Sequence, residues 1–413
     1  MIMFSSLRRL HLLLLWTSQV LSTIGDSLYQ IALILIAVKI AGSGAGLVGA
    51  AEAGAFFVFG LLGGVYADRW NRRWTMIGVD ILRAMTVLLL ALLALTPFLR
   101  LYHLILISVL VGSLGSFFDP ALQASLPALA QEEKILQSTN ALMDMTRRLA
   151  RIVGPFLAGL LIGFLPLPHF FTLDSLSFVI SALALLALGN KFAWRAVYQR
   201  DNQRKHAGIL KEIGGTLQQF WSHQSLRWAL IVHGITSILW RAAFIVGMAL
   251  FATRMLSGNA GAYGLIVGAY GIGSLLASLG LGSITIRRRT AIMFTGKVIL
   301  GAGFVVMVST VSLPIILLGS GLAGLGGPFF DIMISTIIQT RLPANQIGKI
   351  SSVRFLIEDA GNFLGFLLAV PLFAVLSPSL GVGLCALIMI ATGTFGLICF
   401  GLSEPALPAP SSD

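Results

Sequence analysis

Long apolar runs separated by short polar turns constrain this chain more than any other feature of its sequence. Each run is long enough to cross a bilayer as a helix, which takes about 20 residues. Of the 413 residues, 57% are hydrophobic and 11% are charged, whereas an ordinary soluble domain carries about 25% charged residues. This composition excludes a soluble globular protein. It also favours helices, because the hydrocarbon core offers no hydrogen-bond partners to an open backbone.

The apolar runs predict an all-α membrane protein with twelve transmembrane helices. The predicted spans are 12–40, 45–67, 74–96, 101–126, 140–165, 170–188, 228–252, 262–286, 291–311, 313–340, 353–376 and 380–401. An even number of crossings puts both termini on one side of the membrane. Most lysines and arginines of the turns fall on that side, while Lys39, Arg100 and Arg254 fall on the other. By the positive-inside rule, both termini are therefore expected in the cytoplasm.

The excess of positive charge has a topological explanation and does not indicate a nucleic-acid partner. The net charge of +12 is concentrated in the turns between spans, where orientation signals belong. Cys385 and Cys399 lie 14 residues apart in the last span, a separation of about 21 Å along a helix, which is too far for a disulfide. No metal site, cofactor or enzymatic nucleophile–base pair is expected, and the chain has no phosphate-binding G-x-x-x-x-G-K-[ST] motif.

The turn between the second and third runs carries the most specific motif. Gly64–Met76 has the sequence G-V-Y-A-D-R-W-N-R-R-W-T-M and resembles the helix 2–helix 3 signature of the major facilitator superfamily, roughly G-x-L-A-D-R-x-G-R-K-x-x-L. Asn71 stands where that signature usually has glycine, a mild change because asparagine tolerates positive φ better than most residues. The matching positions are Gly64, Asp68, Arg69, Arg72, Arg73 and Met76.

An internal repeat agrees with this resemblance. Ser116-Phe-Phe-Asp119 is echoed by Pro328-Phe-Phe-Asp331, and Leu126-Pro127 by Leu342-Pro343. The predicted organisation is an N-terminal six-helix half (1–189), a cytoplasmic linker with an amphipathic helix (190–227), a C-terminal six-helix half (228–403) and a disordered tail (404–413). The superfamily builds its pseudo-symmetric fold from two such halves, which implies a central cavity and alternating access by rocking.

A finer resemblance covers residues 117–159, which are similar to the macrolide-efflux and enterobactin-exporter branch of the superfamily. The segment includes a helix 5 element related to the motif of drug:proton antiporters, although Ala150 stands where that motif usually has glycine. Its residues are Arg147, Arg151, Gly154 and Pro155. The resemblance implies export of an amphipathic organic compound, such as a macrolide-like drug or metabolite, in exchange for protons. A siderophore exporter and a substrate-specific uptake symporter are the alternatives.

Ionisable side chains at bilayer depth are costly unless they are paired or wetted, so each one needs a reason. Asp26 and Arg241 lie near the middle of the first span of each half, at nearly equivalent repeat positions. They are candidates for proton coupling or for the substrate cavity, and the competing interpretation is a structural ion pair. Glu52 is a second protonation candidate, or a carboxylate facing the outer vestibule. Asp174 and His233 are interpreted as local hydrogen-bonding groups.

The resemblance assigns a gating role to the signature turn. It implies that Asp68 meets the start of helix 11 and that Arg72 reaches a carboxylate at the base of helix 4, for which Asp119 is correctly placed. Asp80 and Arg83 are expected to pair within span 3. The expected partners are a small-molecule substrate, protons and the lipid bilayer. The expected setting is a monomer in the bacterial cytoplasmic membrane.

Overall fold

The structure is a computed structural model that describes residues 10–67, 70–130, 133–189, 224–256, 260–283, 288–341 and 344–401. Within these ranges the chain forms helices and no strand. The chain divides into two compact units, Met1–Gln199 and Arg200–Asp413. Residues 190–223 of the predicted linker, the predicted tail, Asp68 and Arg69 lie outside the described residues, whereas residues 224–227, which were predicted as the end of the linker, already belong to a helix.

The N-terminal unit contains six long helices within its described residues. They are α1 (Leu10–Ala41), α2 (Ala45–Ala67), α3 (Arg72–Ala94), α4 (Leu101–Ala130), α5 (Glu133–Leu161) and α6 (Pro168–Ala187). A single 3₁₀ turn, Gly42–Gly44, separates α1 from α2. Gly42 adopts a φ of 56° there, a left-handed conformation in which glycine avoids the steric cost of a side chain.

The C-terminal unit also contains six helical rods in its described part. The first, α7, runs through Gln224–Trp240, a π-helical segment Arg241–Gly247 and Met248–Met255. The others are α8 (Ala260–Ser283), α9 (Arg289–Val308), α10 (Leu313–Arg341), α11 (Ala344–Val375) and α12 (Pro378–Gly396), which continues into a π-helical turn, Leu397–Gly401.

The all-helical membrane fold predicted from the sequence is confirmed. Over the described ranges, ten stretches are long and apolar enough to cross a membrane, and the first of them, Leu10–Gly60, runs through α1 and into α2. The α5 helix is not among the ten, which fits the charged residues of its first half. The α5 and α11 helices begin earlier than their predicted spans, at Glu133 and Ala344, because a helix can continue past the apolar stretch that hydropathy detects.

Short-range capping explains two of the helix ends. The Asn71 side chain accepts a hydrogen bond from the backbone N–H of Trp74 at 3.4 Å and begins α3. Ser377 does the same for the N–H of Leu380 at 3.3 Å, and Pro378 occupies the first turn of α12. Both arrangements satisfy or avoid the N–H groups that a helix start leaves without partners.

Each unit has its own packing pattern. In the N-terminal unit, α2 packs on α4, α3 on α4 and α6, and α1 on α5 and α6. In the C-terminal unit, α10 packs on α8 and α9, α9 on α12, and α7 on α11. Each unit also contains an apolar cluster of its own, around Met76 and Leu126 in the first and around Met293 and Phe330 in the second. The N-terminal packing brings α1, α3, α4 and α6 together around the charged side chains described next.

Candidate functional site

Asp26 lies near the middle of α1 and is half-buried. The cation that interacts with it electrostatically among the described residues is Arg83 on α3. A Cβ on Gly154 of α5 would collide with the side chain of Ser27 on α1, which shows that the two helices approach each other closely there. The helix 5 glycine of the sequence motif therefore lies against Ser27, the residue after Asp26, where no larger residue fits without a shift.

Arg83 is the centre of a buried polar cluster in the N-terminal unit. Its guanidinium lies over the ring of Phe178, with Cζ 4.7 Å from the ring centroid. Its Nη2 atom lies 2.9 Å from where a Cβ on Gly115 would stand, so the side chain reaches from α3 to both α4 and α6. Four carboxylates interact with it electrostatically: Asp26, Asp80, Asp119 and Asp174.

Asp174 on α6 and Asp80 on α3 are the most buried carboxylates of this cluster, and each has 1% of its surface exposed. The hydroxyl of Ser177 donates to the Asp174 carbonyl oxygen at 2.7 Å and lies 3.4 Å from its Oδ1. The same Oδ1 lies 2.6 Å from where a Cβ on Gly25 would stand. Asp174 thus presses against the α1 backbone at the residue that precedes Asp26.

Glu52, the rival candidate, belongs to the same neighbourhood. It is half-buried on α2, and its backbone carbonyl lies against α4 where a Cβ on Gly112 would collide with it. Glu52 interacts electrostatically with Tyr29 and with Asp174. The two carboxylates proposed from the sequence as alternatives therefore both interact electrostatically with Asp174.

Arg241 has a separate setting in the C-terminal unit. It begins the π-helical segment of α7, an irregularity that is frequent at functional sites. Its Nε donates to Asn362 Oδ1 on α11 at 3.2 Å. Its guanidinium carbon lies 5.1 Å from the ring centroid of Trp240 and 5.3 Å from that of Phe366. Asp26 and Arg241 each have partners in their own unit, and their predicted pairing with each other stays a prediction.

The described part of the signature turn makes structural contacts. Arg72 Nη1 donates to the carbonyl oxygen of Ala124 on α4 at 2.6 Å, so Arg72 reaches α4 as expected. Its pairing with Asp119, which is exposed on α4, stays a prediction. Buried Arg73 donates from Nε and Nη2 to the carbonyls of Leu185 and Leu186, at 2.9 and 2.8 Å. Those carbonyls end α6, where a cation is favourable to the helix dipole.

The other predicted residues are only partly described. Gly64 belongs to α2, which ends at Ala67. Arg147, Arg151 and Pro155 belong to α5, but their side chains lie outside the described part of the structure. Over the described ranges, no group of three or more histidines, cysteines, aspartates or glutamates is placed to hold a metal ion.

A second polar cluster, which sequence reasoning did not assemble, lies in the C-terminal unit. Lys297 is buried on α9, with Nζ 4.0 Å from the centroid of the Phe330 ring. The His233 ring stacks on Phe330 at 5.1 Å and its Nε2 lies 3.7 Å from Glu358 Oε2. The remaining pair is Arg354 Nη2 with Asp331 Oδ1, 3.0 Å apart.

The Arg83 cluster was also missed as a unit. The sequence did signal its members, since Asp26, Asp80, Arg83 and Asp174 are all ionisable residues inside apolar helices of one half. What it could not show is that α1, α3 and α6 are neighbours, and that Gly25 lets the Asp174 carboxyl lie against α1.

Comparisons with known proteins agree with this architecture. The multidrug efflux pump Tap of Mycolicibacterium fortuitum is 28% identical over 320 residues, 76% of either chain. Macrolide efflux protein A of Streptococcus pyogenes is 29% identical over 174 residues, 41% of this chain and 42% of the relative. The enterobactin exporter EntS of Citrobacter koseri is 24% identical over 351 residues, 84% of this chain and 79% of the exporter.

A solved structure supports the fold independently. The crystal structure of the nucleoside transporter NupG matches with a TM-score of 0.69 at 14% identity, over 96% of this chain and 100% of that one. The family model described as transmembrane secretion effector matches residues 2–325. The chain belongs to this transmembrane secretion effector family of the major facilitator superfamily, whose members are multi-pass membrane transporters and not enzymes.

Proposed function

We propose that this protein is a secondary active exporter of an amphipathic organic compound, driven by proton influx. The observation that carries the proposal is Asp26, a half-buried carboxylate on an apolar helix, which interacts electrostatically with the half-buried Arg83. A carboxylate in such a place can alternate between an ionised form balanced by Arg83 and a protonated neutral form. Relatives named as a multidrug efflux pump and a macrolide efflux protein support export of drug-like compounds.

In this mechanism the protein exposes a substrate site alternately to the two sides of the membrane. A proton from outside neutralises Asp26. The carrier then returns to the inward-facing state without substrate and releases the proton inside. Glu52 is the rival coupling carboxylate, and Arg241 in its π-helical segment is the candidate substrate contact in the C-terminal unit. Asp68, Arg69, Arg72 and Asp119 are proposed to form the gate implied by the signature turn.

The proposed setting is the bacterial cytoplasmic membrane, with a monomer whose two termini face the cytoplasm. The positive-inside distribution of lysine and arginine supports this orientation. Cysteine labels at Asn71 and Gly42 test it, in a background without Cys385 and Cys399. A label at Asn71 should react only from the cytoplasm and one at Gly42 only from outside. The reverse pattern would contradict the proposed orientation.

Uphill transport in inverted vesicles tests the function. A proton gradient should drive accumulation of a macrolide in wild-type vesicles, and Asp26→Asn should abolish this accumulation while substrate binding remains measurable. Glu52→Gln is the matched control, because it neutralises the rival carboxylate. Normal accumulation by Asp26→Asn with loss in Glu52→Gln would move the coupling role to Glu52. Uphill transport by both variants would refute proton coupling through either residue.

Two alternative functions are each tested by a further assay. The similarity to an enterobactin exporter favours a siderophore as the second substrate class, and a siderophore-secretion assay in a host lacking its own exporter separates it from a drug. An uptake symporter would accumulate substrate in right-side-out vesicles, with protons moving inward together with the substrate.

A further inference from the structure

The charges around Arg83 do not balance within the described part of the N-terminal unit. Arg83 is the cation that interacts electrostatically with Asp26, Asp80 and Asp174 there. If every group were ionised, one guanidinium would face these three carboxylates. An uncompensated carboxylate at this depth costs several kcal/mol, so a carboxylate that Arg83 does not balance favours its protonated form.

A sign of such a proton is present at both Asp80 and Asp174, whose Oδ2 atoms have no hydrogen-bond partner among the described residues, and of the two it is Asp174 that lies against α1. It is 1% exposed, and among the described residues its Oδ2 has no hydrogen-bond partner, while its Oδ1 lies 3.4 Å from the Ser177 hydroxyl. An ionised carboxylate normally accepts several hydrogen bonds. A buried carboxylate with one oxygen left unsatisfied is therefore better described as a group that can hold a proton on that oxygen.

The position of Asp174 links it to the proposed coupling residue. Its Oδ1 occupies the space beside Gly25 that a side chain would fill, which brings it against α1 next to Asp26. Asp174 and Asp26 also interact electrostatically. Two neighbouring carboxylates with one shared cation titrate as a pair, and a proton on one changes how readily the other gains or loses its own.

Among the described residues, Arg83 is the cation that acts on Asp174. The ionisable or polar groups that interact with it are Asp26 and Tyr29 on α1, Glu52 on α2, Arg83 on α3, and Ser177 on its own helix. Of these, Arg83 is the one that carries positive charge. Asp26 and Asp174 therefore compete for Arg83, and the one that Arg83 does not balance favours a proton.

We propose that Asp174 is a second proton-carrying residue of the transporter and forms, with Asp26, a carboxylate pair that shares Arg83 as counter-ion. A proton arriving at the pair adds to one carboxylate oxygen and forms a carboxyl group, and the other carboxylate keeps the guanidinium. Loss of the proton restores the second negative charge. This inference deepens the proposed function and rests on it, since it extends proton coupling from Asp26 to the pair.

Infrared difference spectroscopy on the purified, substrate-free protein tests the pair without depending on transport. A pH jump should reveal the carbonyl stretch of a protonated buried carboxyl, shifted in heavy water. This band should be lost or reassigned in Asp174→Asn, and in Asp26→Asn a band belonging to Asp174 should remain. Ser175→Ala is the matched control: Ser175 is buried beside Asp174, but its hydroxyl donates to the Ala84 carbonyl at 2.8 Å, and its spectrum should equal that of the wild type.

Gly25→Ala provides a test that leaves both carboxyls in the protein. The new methyl would stand 2.6 Å from both Asp174 Oδ1 and Ser177 Oγ, so the carboxyl has to move. We expect its band to shift in frequency and in the pH at which it appears. This variant also keeps the proposal testable if Asp174→Asn does not fold.

The outcomes separate the pair from the proposed function. A carboxyl band unaffected by Asp174→Asn, or no remaining band in Asp26→Asn, would overturn the pair. In vesicles, Asp174→Asn should lose proton-driven accumulation and keep substrate binding, and normal accumulation would also overturn the pair. If wild-type vesicles show no proton-driven transport while the spectra show the coupled bands, the proposed antiport fails and the proton-binding pair stands.

Discussion

The two units place charged clusters at corresponding helix positions but balance them in opposite ways. Asp80 is the ninth residue of α3, and Lys297 is the ninth residue of α9. In the N-terminal unit, Arg83 faces several carboxylates. In the C-terminal unit, Asp331 pairs with Arg354, Glu358 lies 3.7 Å from the His233 ring nitrogen, and Lys297 is a second cation over an aromatic ring. The first cluster is short of positive charge, and the second is not.

This difference shows what the internal repeat preserves. The aspartates of the two F-F-D motifs are each the nineteenth residue of their helices, α4 and α10, so helix register is retained between the halves. The sign of the charge at the ninth position of the third helix is not retained, since Asp80 stands there in α3 and Lys297 in α9. A structural ion-pair network would need local neutrality in both units, whereas a proton site needs an acid excess in one of them. The N-terminal unit is therefore the better candidate for proton coupling.

The seams between the third and fourth helices of each unit also differ. In the C-terminal unit, α9 and α10 meet through glycines, and a Cβ on Gly326 would collide with the Gly296 carbonyl and stand 2.8 Å from the Leu300 nitrogen. In the N-terminal unit, an open groove of about 660 Å³ follows α3 and α4, lined by Trp70, Trp74, Leu114, Phe117 and neighbouring residues. In the C-terminal unit the backbones of α9 and α10 are therefore closely packed, whereas in the N-terminal unit there is unfilled space beside α3 and α4.

The largest expected effect comes from removing the central cation of each cluster. Arg83→Gln leaves Asp26 and Asp174 without their counter-ion, and breaking a buried charged network in this way costs about 3–5 kcal/mol. Lys297→Met keeps an apolar stem on Phe330 and removes a cation–π contact, for a loss of about 1–2 kcal/mol. Thermal unfolding in detergent measures both. Equal losses would show that the two clusters are balanced alike and would undo the comparison.

A glycine-to-alanine pair tests the two seams, with opposite signs expected. Gly326→Ala forces the α9 and α10 backbones apart, so we expect a loss of about 1–3 kcal/mol. Gly78→Ala on α3 is the control, because a Cβ there would meet no atom within 4 Å. It should stabilise the protein by about 0.5–1 kcal/mol through helix propensity alone. Destabilisation by Gly78→Ala to the same extent would contradict the proposed difference in packing.

The sequence could predict the helices far better than the charged clusters. The predicted bounds of α2, 45–67, agree with the structure, because the apolar run there ends at charged or glycine-rich turns. The early start of α5 could not be found from hydropathy, since its first turns are polar. Asp80 and Arg83 were expected to pair; they interact electrostatically, and a direct ion pair between them stays a prediction. The convergence of Asp174 and Asp26 on Arg83 depends on which helices are neighbours, and a single sequence carries no record of that.

The arginines that begin α3 and α9 give a smaller contrast. Arg72 donates to a backbone carbonyl of α4 at 2.6 Å in a partly buried site, whereas Arg289 donates to the Thr340 hydroxyl of α10 at 2.9 Å on the surface. Charged hydrogen bonds contribute about 1.5–3 kcal/mol when shielded from water, so Arg72→Ala should cost more than Arg289→Ala in thermal unfolding. The opposite order would indicate that the signature turn has no special structural role.

A double-mutant cycle on the same arginine tests the proposed gate. If Arg72 acts through Asp119, then Asp119→Asn should add little to the transport defect of Arg72→Ala, and the coupling energy should exceed about 0.5 kcal/mol. Asp331→Asn, at the corresponding position of the other unit, is the control and should add its own effect independently. Strict additivity of Arg72→Ala and Asp119→Asn would remove the predicted pair from the gate.

The smallest expected effect concerns the ion pair of Arg354 and Asp331. The Asp331 side chain is 51% exposed, and exposed pairs contribute about 0.2–1 kcal/mol because water and salt screen them. Arg354 is also held by a 2.7 Å hydrogen bond from Nη1 to Ser335 Oγ, which Asp331→Asn leaves in place. We therefore expect a small loss in thermal stability at low ionic strength that disappears at high salt. Ser335→Ala should show a loss that salt does not change, because that bond joins a cation to a neutral hydroxyl. A salt-independent loss in Asp331→Asn as large as that of Arg83→Gln would mean that the C-terminal cluster depends on its charges as strongly as the N-terminal one, and the asymmetry between the units would fail.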